Sequence, residues 1–330
     1  MNKNGQEILD ISVLISTRNR APLLQKTLRR FRDLYISDLK WEIIVVDNGS
    51  SDNTREILIE ASRELPLIYL EESRPGKNIA LNKAISFAKG GLYVFTDDDI
   101  IPDKYWLINM WEATKRWPNC SIFGGKIIPR FPPNTPDWIK SPSFDWCAHA
   151  FAKYDPAPRE CEVDRAPYGP NLAIRASIFS NIKFDEKIGP KGKNYPMGSE
   201  TELLNRLKKK GEKFVYVPSA KVEHVILPHQ VTLKWLLGRA KRAGRGWVRL
   251  NPDLKSKRLL GVPRYLWRMM LHRAFLYSIN YFRQDQVKWK YGKEFYILLG
   301  MIQEYLIISQ EKSSLRKKSS KEDNGSKPVF

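Results

Sequence analysis

Three consecutive aspartates, Asp97-Asp98-Asp99, are the densest concentration of chemistry in the chain. Adjacent carboxylates repel one another, and a divalent cation among them relieves that repulsion. A hard ion such as Mg2+ or Mn2+ keeps one or two protein oxygens and completes its shell from phosphate and water, an arrangement that stabilises a departing diphosphate. Alternation along an extended segment sends Asp97 and Asp99 one way and Asp98 the other. A second group suited to proton transfer lies far along the chain, in Gly198-Ser199-Glu200-Thr201-Glu202. Ser199 and Glu202 have the S-x-x-E spacing of a capping box, in which Glu202 folds back to the Ser199 amide. That gives Glu202 a structural task and leaves Glu200 as the candidate general base.

These groups need elements to position them. Ile11 to Thr17 reads as a strand, and Leu23 to Leu34 carries a helical apolar stripe. Trp41 to Asp47 is a second strand, closed by the turn Asn48-Gly49-Ser50. Ser51 or Asp52 caps the next helix, which runs to about Leu65. Leu67 to Leu70, the helix Asn78 to Ala88, and Leu92 to Thr96 follow, the last leading into the triplet. Strand–helix alternation of this kind predicts an α/β fold, a Rossmann-like and mostly parallel sheet flanked by helices. Ligands of such sheets bind at the carboxyl ends of the strands. Those ends bear Thr17-Arg18-Asn19-Arg20, Asp47-Asn48, Glu71-Glu72 and the triplet. Turn chemistry accounts for any one of these residues, but turns do not require carboxylates on every switch. Residues 129–170, rich in Pro, Trp and Tyr, read as a long ordered loop region. A helix from Ser199 to Lys210, a strand from Phe214 to Val217 and mainly helical sequence after Pro228 complete the pattern.

In the order and spacing of its motifs the chain resembles the family 2 glycosyltransferases with the GT-A fold, over about residues 10–225. The resemblance rests on Ile-Ser-Thr-Arg-Asn-Arg at 15–20, Val-Val-Asp-Asn-Gly-Ser-Ser-Asp-Asn-Thr at 45–54 and Gly-Lys-Asn-Ile-Ala-Leu-Asn at 76–82. It continues through the triplet, Gly-Pro-Asn-Leu-Ala-Ile-Arg at 169–175 and Gly-Ser-Glu-Thr-Glu-Leu at 198–203. It implies an inverting transferase that uses a divalent metal, Mg2+ or Mn2+, and a nucleoside-diphosphate sugar. Asp47 would accept a hydrogen bond from a uracil or thymine base, with Thr17 and Asn19 beside base and ribose. Asp97 would touch ribose or metal, and Asp99 would ligate the metal. Arg20, Lys77, Asn82 and Asp98 complete the expected donor-binding set, Lys77 sharing its loop with Arg74 and Asn78. Glu200 falls where the family carries its base, although Ser199 stands where many relatives have another acid. His224 matches a position that contacts metal or diphosphate in some relatives, and His229 is a weaker candidate. Arg175 is expected to shape the acceptor side, and Trp138, Trp146 and Tyr168 to offer stacking surfaces for a sugar ring.

The domain organisation expected is a nucleotide-sugar half at 1–118 and an acceptor and base half at 119–228. A basic, aromatic-rich helical extension at 229–310 and a disordered tail at 311–330 follow. The net charge of +20 is uneven: residues 1–200 hold 28 Lys+Arg against 26 Asp+Glu, and residues 201–330 hold 28 against 10. The excess thus lies away from the motifs, where it suits an anionic membrane surface or a polyanionic acceptor. Apolar residues Leu233, Trp235, Leu236 and Leu237 beside Lys234, Arg239, Lys241 and Arg242 mark a candidate interface helix. A nucleic-acid-binding protein would leave the triplet and Glu200 unexplained, and no zinc-finger or RNP-type motif is present. A sugar nucleotidyltransferase should carry a Gly-rich loop after the first strand, and Thr17-Arg18-Asn19-Arg20-Ala21-Pro22 has no glycine. Three dispersed cysteines, no signal-like opening and no long apolar run make a cytoplasmic protein the expectation, peripheral to the inner face of the membrane at most. The acceptor expected is a carbohydrate, lipid-linked or other hydroxyl, with no nucleic acid.

Overall fold

The computed structural model describes residues 9–144, 146–192, 194–251 and 256–324. The chain forms two compact units. The first comprises residues up to 193 together with Ser199–Val231, and the second Asn194–Gly198 together with everything from Thr232. Both halves expected before residue 228 therefore belong to one unit.

The first unit opens with β1 (Leu9–Thr17), α1 (Ala21–Phe31), β2 (Trp41–Asp47), α2 (Thr54–Ala61), β3 (Leu67–Glu71), α3 (Lys77–Phe87) and β4 (Gly90–Thr96). It continues with β5 (Ile100–Pro102), α4 (Trp106–Arg116), β6 (Ile122–Arg130), α5 (Asp137–Lys140), α6 (Cys147–Phe151), β7 (Cys161–Val163), β8 (Leu172–Arg175), α7 (Ser199–Lys209) and β9 (Phe214–Val225). Among the described residues these strands form one nine-stranded sheet of order β3-β2-β1-β4-β8-β6-β9-β5, with β7 also on β9. β1 to β4 pair in parallel, whereas β8 runs antiparallel to both β4 and β6.

Continuous apolar strands are buried on both faces, and their period of two divides the core. Val13, Ile15, Ile43 and Val45 join Trp106 and Phe123 on one side. Leu14, Ile44, Val46 and Phe95 join Leu172 and Leu204 on the other. Asp52 links two helix starts, accepting from Ala21 N at 3.0 Å and from Thr54 Oγ1 at 2.5 Å.

Four elements, β5, α4, β6 and β8, escape the periodicity reading, and β9 extends eight residues beyond Val217, the expected strand end. The extension follows a register shift against β6 at Gly125/Lys126, after which Lys221 to Val225 pair with Lys126 to Arg130. Within the expected 129–170 loop lie α5, α6 and β7.

The second unit holds α8 (Leu233–Leu250), β10 (Arg258–Leu259), β11 (Val262–Pro263), α9 (Arg264–Ile279) and α10 (Asp285–Asn324). α8 and α10 approach closely through glycine. A Cβ on Gly244 would lie 2.0 Å from the Ile297 carbonyl oxygen, and one on Gly300 would lie 1.9 Å from that of Lys241. Beyond residue 310, where composition predicts disorder, α10 continues to Asn324, because a helix already begun in packed turns propagates at one hydrogen bond per residue. Residues 325–330 of that expected tail lie outside the described residues. Among the described residues, no helix is long and apolar enough to cross a membrane.

Candidate active site

β4 ends at Thr96, so the triplet emerges at the carboxyl edge of the parallel strands. β5 then pairs antiparallel with β9, placing Ile100 opposite His224, and the Val225 amide donates to the Asp99 carbonyl at 2.8 Å. This pairing brings the imidazole to the aspartates. Asp97, Asp99 and His224 each offer a ligand atom, all within 4.8 Å of one another. His224 Nδ1 lies 2.9 Å from the Phe151 carbonyl oxygen. Donating there fixes the tautomer whose Nε2 lone pair faces the cluster.

Asp99 Oδ1 is buried and has no hydrogen-bond partner, its contact with His224 Nε2 being long at 3.4 Å. A buried acceptor left unmet costs about 1–3 kcal/mol. With that oxygen, the second carboxylate and the imidazole form a set that suits a hard divalent cation such as Mg2+ or Mn2+, so the residues fit the expected ion. Burial pushes the Asp99 carboxyl up, but the charges of His224 and Arg20 outweigh it and hold the group well below the usual carboxylate range. Burial likewise disfavours a charged His224, yet Asp99 raises it above its ordinary value.

Asp98 turns the other way. Its Oδ2 accepts from Thr17 Oγ1 at 2.7 Å and its Oδ1 from Arg20 Nη1 at 2.7 Å, while Arg20 Nη2 reaches Asp99 Oδ2 at 2.6 Å. Burial raises the Asp98 carboxyl to about 7, with Arg20 pulling against it and Asp99 adding to it. Thr17 and Asp98, both buried, and the partly exposed Arg20 form a bracket that ties β1 to the triplet. The reason is geometric: alternation sends the side chain between Asp97 and Asp99 into the sheet edge, where it needs its own partners.

Glu200 stands at the start of α7, about one-fifth exposed in its side chain. Lys77 Nζ, at the start of α3, lies 2.7 Å from Asp97 Oδ1 and 3.3 Å from Glu200 Oε1, so one ammonium joins the triplet to the candidate base. Burial works against the charge on Lys77, but these two carboxylates hold it above its ordinary value. Glu202 directs both oxygens to Arg206, at 2.7 and 2.8 Å, a different structural task from the expected cap on Ser199. An i,i+4 arginine fork outcompetes the reach back to the backbone.

Gly169 is the neighbour that sequence reasoning missed. A Cβ there would lie 2.3 Å from Glu200 Oε1, so glycine leaves room for the carboxylate. Its place is set by Asn171, fully buried, which accepts from Trp106 Nε1 at 2.9 Å. Asn171 also donates to the carbonyls of Lys126 and Ala220 at the sheet irregularity. The Gly-Pro-Asn motif was the available signal. Nothing local could have indicated the Phe151 carbonyl.

At the end of β2, Asp47 Oδ1 accepts from the Ser50 amide at 2.9 Å. Asn19, in left-handed backbone at φ 52°, joins the neighbouring loop, its amide donating to Ser50 Oγ and its Oδ1 accepting from the Ser51 amide. Asn19 follows β1, the neighbour of the triplet's own strand β4, and Asp47 ends β2, one strand further out.

Several other candidates have internal tasks. Asn82 pairs with both backbone groups of Phe184, Asn78 donates to the Asp185 and Ile188 carbonyls, and Arg74 pairs with Glu72. Asn82 and Asn78 lie where the loop of 183–190 needs polar anchors, so none of these contacts is made toward the triplet. Arg175 donates to the Cys120 and Thr114 carbonyls, away from an acceptor role. Trp138 meets Phe144 edge-on, Tyr168 meets Tyr154 likewise, and Trp146 is buried. His229 lies in a short turn at Pro228–Val231, outside the metal cluster.

The carboxyl edge of a set of parallel strands, a cluster of two aspartates and a histidine that could hold a metal ion, and a carboxylate near it fit the GT-A glycosyltransferase class. Residues 12–182 match the model of glycosyl transferase family 2, over half of the chain, and the chain belongs to that family. It is 32% identical over 295 residues to a probable glycosyltransferase, YdaM, of Bacillus subtilis, covering 85% of this chain and 64% of that protein. It is 34% identical over 99 residues to the glycosyltransferase AglE of Haloferax volcanii, covering 29% of this chain and 33% of the relative. The chain thus spans between about one-third and two-thirds of these relatives' lengths. The mannosyltransferase PcManGT of Pyrobaculum calidifontis, solved with GDP-Man and Mn2+, shares the fold with a TM-score of 0.58. Sequence identity to it is 17%, with 91% of this chain and 88% of that one covered.

Proposed function

We propose that this chain transfers a sugar from a nucleoside-diphosphate donor to an acceptor hydroxyl, with inversion at the anomeric carbon. The observation that carries this reading is the orphaned Asp99 Oδ1 among Asp97 and His224, with Glu200 joined to the same cluster through Lys77. A divalent metal held by Asp97, Asp99 and His224 would neutralise the charge that develops on the departing diphosphate. The imidazole favours Mn2+ over Mg2+. Glu200 accepts the proton of the acceptor hydroxyl as it attacks. Lys77 orients Glu200 and keeps Asp97 turned toward the cluster. Asp47 and Asn19 form the edge that receives the base, for which uracil or thymine is the reading, and Thr17, Arg20 and Asp98 brace that edge from behind. The acceptor is a carbohydrate or lipid-linked hydroxyl in glycan synthesis, reached at an anionic membrane surface on the cytoplasmic side.

A panel of nucleotide sugars with Mn2+ tests the reading through release of the nucleoside diphosphate. UDP- or dTDP-sugars should turn over, and Glu200→Gln should suppress turnover while leaving donor binding intact. Near-normal transfer by Glu200→Gln removes the base assignment. A melting shift with UTP alone moves the chain to another class.

A further inference from the structure

The second unit carries a surface that neither the site nor its own core uses. Sequence composition points to α8 as the interface helix, yet Leu236 and Leu237 are buried, so its apolar stripe belongs to the interior. The uncovered apolar face is on α9 and the segments flanking it. Leu271 is 67% exposed, Phe275 63%, Ile279 60% and, just past the helix, Phe282 96%. At spacings of three and four residues these share one face, continued toward the helix start by Arg268 and Arg264. The β10–β11 hairpin extends it. Leu260, 73% exposed, occupies the tip at φ 53°, a left-handed position where a turn ordinarily has Gly or Asn. The Arg264 amide donates to the Lys257 carbonyl at 3.0 Å and Trp267 Nε1 to the Leu259 carbonyl at 3.4 Å, and these bonds hold the hairpin against α9.

Charge selects the occupant. Residues 256–283 contain Lys257, Arg258, Arg264, Arg268, Arg273 and Arg283 and no Asp or Glu. Of these, Arg273 is paired with Glu294 of α10. A second copy of the chain would oppose like charges across the apolar patch. An anionic bilayer offers both complements, phosphates for the cations and an acyl boundary for the leucines and phenylalanines. We infer that the exposed face of α9, with the β10–β11 tip, docks this chain on an anionic membrane surface. This rests on the membrane contact proposed above and names the surface that makes it.

Flotation of the full chain with vesicles of phosphatidylcholine and phosphatidylglycerol, against vesicles of phosphatidylcholine alone, tests it. The wild type should float with the anionic vesicles and at least about tenfold less with the neutral ones. The double variant Leu271→Ser/Phe275→Ser should lose about tenfold of its partition while releasing nucleotide from a soluble donor at the wild-type rate. Phe282→Ser, which removes almost no packing, should weaken flotation in the same direction and guards against misfolding of the double variant. Failure of the wild type to float, or flotation of these variants like the wild type, overturns the inference. So does a wild-type dimer that Leu271→Ser/Phe275→Ser dissociates, because the face would then be covered by a second copy. Intact flotation with no turnover of any nucleotide sugar would leave the docking surface standing and remove the function proposed for the first unit.

Discussion

Each unit holds a buried cluster of charged side chains, and the two clusters differ in completeness. In the helical unit Glu304 is wholly buried, and its oxygens meet Arg245 Nε at 2.6 Å and Arg249 Nε at 2.5 Å. Arg245 reaches the Asn194 carbonyl as well. That cluster is closed. In the sheet unit Asp97, Asp98, Asp99 and Glu200 face Arg20, Lys77 and His224, and one buried oxygen, Asp99 Oδ1, is left without a hydrogen bond. Buried ion clusters are thus distinguished by completeness. The first joins α8 to α10 through Glu304, and the second leaves Asp99 Oδ1 open beside Asp97 and His224, where the proposed cation would sit.

The largest effect that would break this contrast is at Asp99. Asp99→Asn should lower kcat/KM roughly a thousandfold, the loss of several kcal/mol of charge stabilisation, with the fold retained by circular dichroism. Wild-type turnover in that variant would make the cluster structural. Glu200→Gln should reduce kcat by about 10²–10⁴-fold with little change in donor KM. On the other side of the comparison, Glu304→Gln should cost about 3–5 kcal/mol in a denaturant titration, because buried Arg245 loses its anion and Arg249 keeps only Glu311. A loss below roughly 1 kcal/mol, the value of an exposed pair, would mean that the helical cluster is solvated. Mn2+ at about 100 times its Kd should stabilise the protein by about 2.7 kcal/mol, read as a rise in Tm that EDTA reverses and Asp99→Asn abolishes. The smallest change is Gly169→Ala, whose methyl displaces the Glu200 carboxylate. It should cost up to about 100-fold in kcat, the effect of a misplacement near 1 Å, with Tm nearly unchanged.

The parallel strands β1 to β4 were legible because each is a buried apolar run ending in polar turn residues, a pattern contained within a few neighbours. The same locality explains the misses. β8 has only four residues and β5 three, too few for a period to register. Asn82, Arg20 and Asp98 have the residue types of a donor site, and type alone does not reveal that Asn82 pairs with Phe184, Arg20 with Asp98 and Asp99, and Asp98 with Thr17. Glu202 has a structural partner, as the capping spacing suggests, but a different one. The cap on Ser199 and the i,i+4 fork to Arg206 are both encoded within about one helix turn, and spacing alone does not rank them.

By itself the sequence determined the strand–helix alternation, the crowding of carboxylates at Asp97-Asp98-Asp99 and the excess of basic charge after residue 200. These follow from local periodicity, adjacency and composition. Tertiary structure decided that His224 meets Asp99, because the pairing of β5 with β9 satisfies backbone groups far apart in the chain. It decided which aspartate oxygen goes unmet, and that α8 buries its apolar stripe whereas α9 keeps an apolar face exposed. Those outcomes depend on which surfaces find partners, and an amphipathic pattern states that a face is apolar without stating what covers it.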